Sequence, residues 1–327
     1  MAETGGKQEY VIGVDLGGTK ILAGVFDMNL KCLGRSKMST KSGRGPNAVI
    51  GRIARCVQDA ADECDFELKS VRAIGVGAPG AVDPEPGKVI FAPNLVWEEV
   101  SLKKELEKLL EVPVAVENDG NVCTLGVYET ELHAKPRSLV RVFLGTGIGA
   151  GIIIAGQLYS GFNRTAGEIG HMVLQVGGPK CSCGNRGCFE ALASRQAIFR
   201  RIKDSVKEGQ KTVLTEMLGD ELADMRSGDL RKAIKRGDKL VQRIVEEAAE
   251  YTGIAVANVI NLLNPEVVVL GGGVIDALED DMMAIIVETA QDYALAGTAK
   301  GIEIVATKLG DDAGIVGAAV LAKRRTK

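Results

Sequence analysis

Twice the chain writes an apolar run, a tight glycine turn with a hydroxyl in it, and a second apolar run, and a plan used twice restricts the fold more than composition does. Residues 10–14 (Tyr-Val-Ile-Gly-Val) predict a buried strand that runs into Asp15-Leu16-Gly17-Gly18-Thr19-Lys20, with residues 21–26 as its returning partner. Residues 139–144 predict another such strand, followed by a glycine turn over 145–151 and a returning strand over 152–155. The repeat is one of plan and not of sequence period. It implies a duplicated fold in which two phosphate-facing hairpins meet across a cleft.

Between and after the hairpins, strand and helix patterns alternate, as they do in α/β proteins. Val49, Ile50, Ile53, Ala54, Val57, Ala60 and Ala61 follow helical spacing, and residues 71–77 read as a strand. Ser101 is placed to cap a helix through 110, and a strand over 112–116 presents Glu117, Asn118 and Asp119 at its carboxyl end, where α/β proteins hold ligands. The charged stretch 200–240 predicts solvated helices or a lid. A long helix over 240–263 stops near Pro265, a strand over 267–270 enters the turn Gly271-Gly272-Gly273, and a last helix is expected after Asp311-Asp312-Ala313-Gly314.

Composition removes several functions. At 327 residues, with 46% hydrophobic and 25% charged residues, the chain has room for two separate cores. A net charge of -3 argues against a nucleic-acid surface, and the tail Lys323-Arg324-Arg325-Thr326-Lys327 suits the negative end of a closing helix. No apolar run approaches the roughly 20 residues of a membrane span. Seven cysteines, an odd number, and no apolar leader point to a reducing cytoplasm. Gly75-Val-Gly77-Ala-Pro-Gly80 has the spacing of a dinucleotide fingerprint, but Pro79 and Pro84-Glu85-Pro86-Gly87 forbid the helix that would face a pyrophosphate. The chain has no Walker-type loop either.

Two constellations carry chemistry. Asp15, Gly17, Gly18, Thr19 and Lys20 put an acid, freed backbone amides, a hydroxyl and an ammonium in one turn, which suits nucleotide phosphates and a magnesium ion held through its water shell. Gly145, Thr146 and Gly147 repeat that chemistry. His171, Cys181, Cys183 and Cys188 gather three thiolates and an imidazole within eighteen residues, the donor set of a closed structural zinc site, and Gly184 and Gly187 let the loop curl. Buried cysteines or a disulfide are the blander alternatives. Glu168 and Glu190 flank the cluster.

Taken together, Asp15-Leu-Gly-Gly-Thr-Lys20, Glu117-Asn-Asp-Gly-Asn121, Leu144-Gly-Thr-Gly-Ile-Gly149, Gly167-Glu-Ile-Gly-His171 and Cys181-Ser-Cys-Gly-Asn-Arg-Gly-Cys188 resemble the ROK family of sugar kinases and sugar-responsive repressors, and within it the bacterial glucokinases. The resemblance implies an actin-like, hexokinase-like (ribonuclease H-like) duplicated α/β fold. Its small domain would span 1–117 with the helix 311–327 packed back on it, and its large domain, 118–310, would carry the zinc loop. It also implies ATP and Mg2+ as cofactors and structural Zn2+. Asp119 would be the general base, with Gly80, Asn94, Asn118, Glu168, His171 and Glu190 around the sugar, and Gly272, Gly273 and Gly314 near the adenosine. The family's habit is a dimer or tetramer. Gly120 departs from its commonest pattern, in which alanine follows the aspartate.

The residues themselves agree with a kinase. A sugar hydroxyl is a poor nucleophile at neutral pH, so a carboxylate must take its proton as the bond to phosphorus forms, and Asp119 at a strand end suits that role. The competing role is a turn aspartate capping the next helix. Repressors of the family carry a winged helix upstream of the first glycine loop, and the fourteen residues before Asp15 lead us to expect none. A silent sugar sensor would not need Asp15, Asp119 and two phosphate loops. The expected reaction is phosphorylation of the 6-hydroxyl of glucose by ATP. Mannose, allose, N-acetylglucosamine and N-acetylmannosamine are the alternative acceptors and polyphosphate the alternative donor.

Overall fold

The unbroken apolar runs of the sequence become central strands, and the patterned runs become helices laid on them. A computed structural model describes residues 9–65 and 67–326, so Lys327 of the basic tail lies outside the described residues. β1 (Tyr10–Leu16) and β2 (Lys20–Asp27) pair antiparallel around the glycine turn, with Asp15 opposite Leu22, and β3 (Cys32–Ser39) adds to the outer edge of β2. After α1 (Pro46–Asp62), β4 (Val71–Ala78) joins parallel to β1. A small antiparallel sheet of β5 (Ala81–Asp83), β6 (Lys88–Ala92) and β7 (Trp97–Val100) follows, then α2 (Leu102–Leu110), β8 (Val114–Asn118) parallel to β4, and α3 (Asp119–Gly126).

The second run repeats the first. β9 (Leu139–Leu144) and β10 (Ile148–Ile154) pair antiparallel, β11 (Gln157–Leu158) extends the edge, and α4 (Phe189–Ala193), α5 (Arg195–Lys207), α6 (Val213–Leu218), α7 (Ser227–Lys235) and α8 (Lys239–Leu263) follow. β12 (Val267–Gly271) then joins parallel to β9, and after α9 (Ile275–Tyr293) the strand β13 (Glu303–Ala306) joins parallel to β12. The sheet orders, β3-β2-β1-β4-β8 and β11-β10-β9-β12-β13, are the same order written twice. The last helix, α10 (Ala313–Arg325), belongs with the first sheet.

Two compact units result. One contains the chain up to residue 135, residues 158–166 and the chain from residue 311, and the other contains residues 136–157 and 167–310. The boundary expected at 117/118 is therefore displaced. Residues 118–135 stay with the first unit because α3 packs on α10 at near backbone contact, where a Cβ on Gly317 would lie 1.8 Å from the Val122 carbonyl oxygen.

In the first unit the sheet is covered on both faces. Ile12, Val14, Ile74 and Val76 point to α1 and α2, while Val11, Ala73 and Phe26 point to Ile315, Ala319 and Ala322 of α10. α10 comes close because Gly13 and Gly75 have no side chain: a Cβ there would lie 1.9 Å from the Ile315 oxygen and 1.8 Å from the Ala318 oxygen. In the second unit Val140, Val142 and Leu144 of β9 meet Phe189, Val241, Ile244 and Met282. The charged stretch 200–240 folds as amphipathic helices that bury Ile202, Leu214 and Leu230. No helix among the described residues is long and apolar enough to cross a membrane.

Several local expectations shift. Ser101 is the N-cap residue of α2, but its side chain makes no cap hydrogen bond. The second glycine turn is shorter than 145–151, since β10 starts at Ile148 and only Gly145, Thr146 and Gly147 form the bend. α10 starts at Ala313, one residue ahead of Gly314.

Candidate active site

Strand register assembles the chemical groups of the first unit. β1 and β4 run parallel with Asp15 beside Gly77, and β4 and β8 run parallel with Gly77 beside Glu117 and Ala78 beside Asn118. The carboxyl ends of three parallel strands thus place Asp15, Glu117, Asn118 and Asp119 along one sheet edge.

Asn118 caps α3: its Oδ1 accepts the Asn121 backbone N–H at 3.1 Å, and its Nδ2 donates to the Gly80 carbonyl at 2.9 Å. The capping role that competed for Asp119 therefore falls to its neighbour. Asp119 accepts its adjoining Gly120 N–H at 2.8 Å, and its own backbone N–H and the Asn118 side chain also favour its charged form. Burial, joined by the charge of Asp15 and opposed by the Gly120 N–H, pushes the Asp119 carboxyl up to about 6. Glu117, which sequence reasoning left as a mere strand end, is buried, and its Oε1 accepts from the Asn118 N–H and from Asn121 Nδ2 at 2.8 and 3.0 Å. Its carboxyl is raised by burial, and it fixes the first turn of α3 from below.

Asp15 stands against the first turn of α10, where a Cβ on Gly314 would come within 2.7 Å of its Cγ. Burial raises its carboxyl and the Lys20 ammonium opposes that shift. Lys20 itself pairs with Asp311 at 3.7 Å. The Gly17–Gly18 bend lies against Asn94, whose Cβ would be 3.4 Å from a Cβ on Gly18. Thr19 is exposed. Gly80 adopts φ +87°, a conformation that favours glycine, and a Cβ on it would overlap the Phe91 carbonyl oxygen at 2.1 Å. Gly314 is buried against Asp15 and offers no open surface for an adenosine.

The second unit holds the other residues. Gly145, Thr146 and Gly147 close the β9–β10 hairpin, and the Gly271–Gly273 turn lies beside them: the Val274 N–H donates to the Leu144 carbonyl at 3.1 Å, and Gly271 is in register with Phe143. Gly272 is buried at φ +94°, while Gly273 is partly open. Glu190 Oε2 accepts the Ile148 N–H at 3.0 Å, and its Oε1 accepts from Ser182 Oγ at 3.0 Å. One carboxylate thus ties the cysteine loop to the glycine loop. Gly167 and Gly170 press on β10, with the Ala150 N–H donating to the Gly167 carbonyl at 3.0 Å, and so fix the segment that carries Glu168 and His171.

The donor atoms of His171, Cys181, Cys183 and Cys188 all lie within 4.8 Å of one another. His171 Nδ1 is 3.7 Å from Cys181 Sγ, and Cys183 and Cys188 Sγ are 3.8 Å apart. A tetrahedral ion at the usual Zn–S distance needs ligands about 3.8 Å apart, so the donor set and its spacing fit zinc. Burial, joined by the neighbouring sulfurs, pushes the Cys188 thiol up to about 12. Gly187 makes the curl possible at φ +73°, where a Cβ would lie 1.7 Å from the Gln175 oxygen. The other ring nitrogen, His171 Nε2, faces Glu168 Oε2 at 3.9 Å.

Sequence reasoning missed Arg195. Its guanidinium donates to Thr146 Oγ1 and its backbone N–H donates to the Gly145 carbonyl at 3.0 Å. No short motif marks an arginine that reaches a loop forty-nine residues away.

A duplicated α/β chain with carboxylates at one strand edge, a glycine loop at the other and a thiol–imidazole cluster belongs among the phosphoryl-transfer and sugar-recognition proteins. The chain is a member of the ROK family, whose model matches residues 11–325. It is 35% identical to a glucokinase of Thermotoga maritima over 96% of this chain and 98% of that protein. The crystal structure of a ROK family glucokinase from Streptomyces griseus in complex with glucose and AMPPNP superposes with a TM-score of 0.81 at 33% identity, over 96% of this chain and 99% of that one. A ROK family transcriptional regulator, a homologue of the E. coli MLC protein, gives 0.85 at 24% identity over 98% and 78%. The fold is therefore the actin-like, hexokinase-like one, and the regulator's likeness speaks for that fold alone.

Proposed function

We propose that this protein transfers the terminal phosphoryl group of ATP to the 6-hydroxyl of a hexose, and that the hexose is glucose. Asp119 carries the reading: it lies at the carboxyl edge of the first sheet, free of the capping duty that Asn118 performs, with its carboxyl at about 6. A base near that value is ionised at neutral pH and still takes a proton readily. In the reaction O6 attacks the terminal phosphorus, its proton passes to the Asp119 carboxylate, and the bond from phosphorus to the bridging oxygen breaks to release ADP.

Asp15, raised by burial and countered by Lys20, would hold magnesium through its water shell, and the ion would neutralise charge on the phosphates. Gly17, Gly18 and Thr19 and the Gly145–Gly147 loop would donate to phosphate oxygens, and the Gly273 backbone would adjoin the nucleoside. Asn94, Asn118, Glu168, His171 and Glu190 would receive sugar hydroxyls. His171, Cys181, Cys183 and Cys188 would hold one structural zinc ion, whose role would be to order the loop that leads into α4 and Glu190, with no part in transfer. The named relatives that are glucokinases support glucose and ATP as the pair. A cytoplasmic location and a homo-oligomer complete the reading, the former resting on seven cysteines, an odd number.

The test is ADP release with ATP and magnesium across glucose, mannose, fructose, allose, N-acetylglucosamine and N-acetylmannosamine. Glucose should give the highest kcat/KM, and Asp119→Asn should lower kcat about 10²–10⁴-fold with all. An N-acetylated sugar in first place overturns the substrate and keeps the mechanism. No turnover with any sugar overturns the kinase.

A further inference from the structure

We infer that Arg195 binds the phosphate chain of the nucleotide donor, an assignment that rests on the kinase reading above. The residue opens α5, whose first turn contains no acid, so a cation sits at the positive end of a helix dipole. That position costs energy unless an anion comes to it. Arg201, in the same helix, has Glu247 as partner, whereas the hydrogen bond to Thr146 is the contact of the Arg195 guanidinium among the described residues.

The side chain is aimed, and it has no ion-pair partner among the described residues. Its backbone N–H is fixed on the Gly145 carbonyl, its Nη2 donates to Thr146 Oγ1, and its Nη1 lies 4.0 Å from the place a Cβ on Gly273 would occupy. One guanidinium thus spans the space from the Gly145–Gly147 loop to the Gly271–Gly273 turn. A guanidinium has five N–H donors in a planar fork, and the hydroxyl of Thr146 uses one, leaving the rest for phosphate oxygens. A second guanidinium strengthens the field. Arg141 of β9 is buried over the Phe143 ring, its Nη2 is 3.5 Å from where a Cβ on Gly271 would lie, and its Nε has no hydrogen-bond partner. No ion pair is formed by it among the described residues, so it adds a second positive charge beside these loops, where the one nearby carboxylate, Glu190, is engaged by the Ile148 N–H and Ser182.

The alternative is a latch in which Arg195 merely ties α5 to the glycine loop. Calorimetric titration of the intact, metal-loaded protein with MgADP and, separately, with adenosine distinguishes the two, using wild type, Arg195→Gln and Arg195→Lys. Loss of a charge-assisted phosphate contact should weaken MgADP about 10–100-fold in Arg195→Gln, with adenosine within about twofold of wild type and the lysine variant intermediate. The KM for ATP should rise in step while the KM for the sugar holds. Unchanged MgADP affinity in Arg195→Gln overturns the assignment and leaves the kinase reading standing. Equal weakening of MgADP and adenosine, with lysine no better than glutamine, shows a latch and overturns it too. Wild type that binds no MgADP takes down the kinase reading and this assignment with it.

Discussion

The two sheets share one strand order and carry a different balance of charge at corresponding edges. At the first, Asp15, Glu117 and Asp119 crowd the carboxyl ends of β1, β4 and β8; at the second, the ends of β9 and β12 carry glycine loops with Arg195 and Arg141 beside them and one carboxylate, Glu190, engaged by the Ile148 N–H and Ser182. A duplicated scaffold has therefore specialised by charge and not by shape. Carboxylates at a strand end handle a proton and a hydrated cation, whereas amides and guanidiniums at a strand end handle phosphate oxygens. The second unit also takes the thiol–imidazole cluster, in a long segment between β11 and α4 where the first unit has only the short β3–α1 connection.

The sharpest way to break the contrast is to remove the acidic edge's working charge. Asp119→Asn should lower kcat about 10²–10⁴-fold with the KM for ATP little moved. In wild type, kcat/KM should rise with pH through about 6 and then level, because the base must be ionised. The stability sign is opposite. A carboxyl whose folded value is raised makes its best contribution when protonated, and that contribution is lost as pH climbs from the unfolded value of about 3.9 through 6. Asp119→Asn should accordingly melt higher than wild type at pH 7. Equal Tm values together with a flat pH profile would remove Asp119 from its role.

Next in size is the metal loop. Cys188→Ser, or dialysis against a chelator, should release one equivalent of zinc, raise the KM for glucose about 10–100-fold, and leave MgADP affinity within a few-fold. If sugar and nucleotide affinity fall together, the Glu190 link to the Ile148 amide carries more of the loop's order than the contrast between the edges allows. Gly75→Ala probes the other unit. The added Cβ meets the Ala318 oxygen, and overpacking of this kind costs about 1–3 kcal/mol, so calorimetry should show a lowered transition for the first unit while the second keeps its own. A single shifted transition would mean that the units melt as one.

Both glycine hairpins, α1, α8 and the grouping of His171 with the three cysteines were legible because each is written in nearby residues: an apolar run with glycine at its end, a helical period, or a cluster of soft donors. β3 was not. As an edge strand it reads Cys-Leu-Gly-Arg-Ser-Lys-Met-Ser, and its inward face of Cys32, Gly34, Ser36 and Met38 is too small and polar to show as hydrophobic alternation. β5 to β7 hid behind prolines that marked only a turn, and α9 behind three glycines that seemed to end an element and in fact start one. The unit boundary was misplaced because the contacts holding α3 to α10 join residues nearly two hundred apart in sequence. Arg195 escaped for the same reason, and Lys20 gave no hint that Asp311 would claim it. Local chemistry is readable in the chain; pairing across it is set by packing.

The smallest expected effect tests whether the acidic edge is held in place by Asn118 or only adjoins it. Asn118→Ala removes the cap of α3 and should cost about 1 kcal/mol. Serine restores the cap and not the amide that reaches the Gly80 carbonyl, so Asn118→Ser should regain stability while its KM for the sugar stays high. Aspartate also caps well, but it sets a second negative charge next to Asp119. Its carboxyl should then move above 6, and the acid limb of the pH profile should move up with it. Serine and aspartate variants that both behave as wild type would reduce Asn118 to a cap. An alkaline-shifted profile in aspartate alone would show that the edge works as one electrostatic unit, in which the residue beside the base sets when the base is ready.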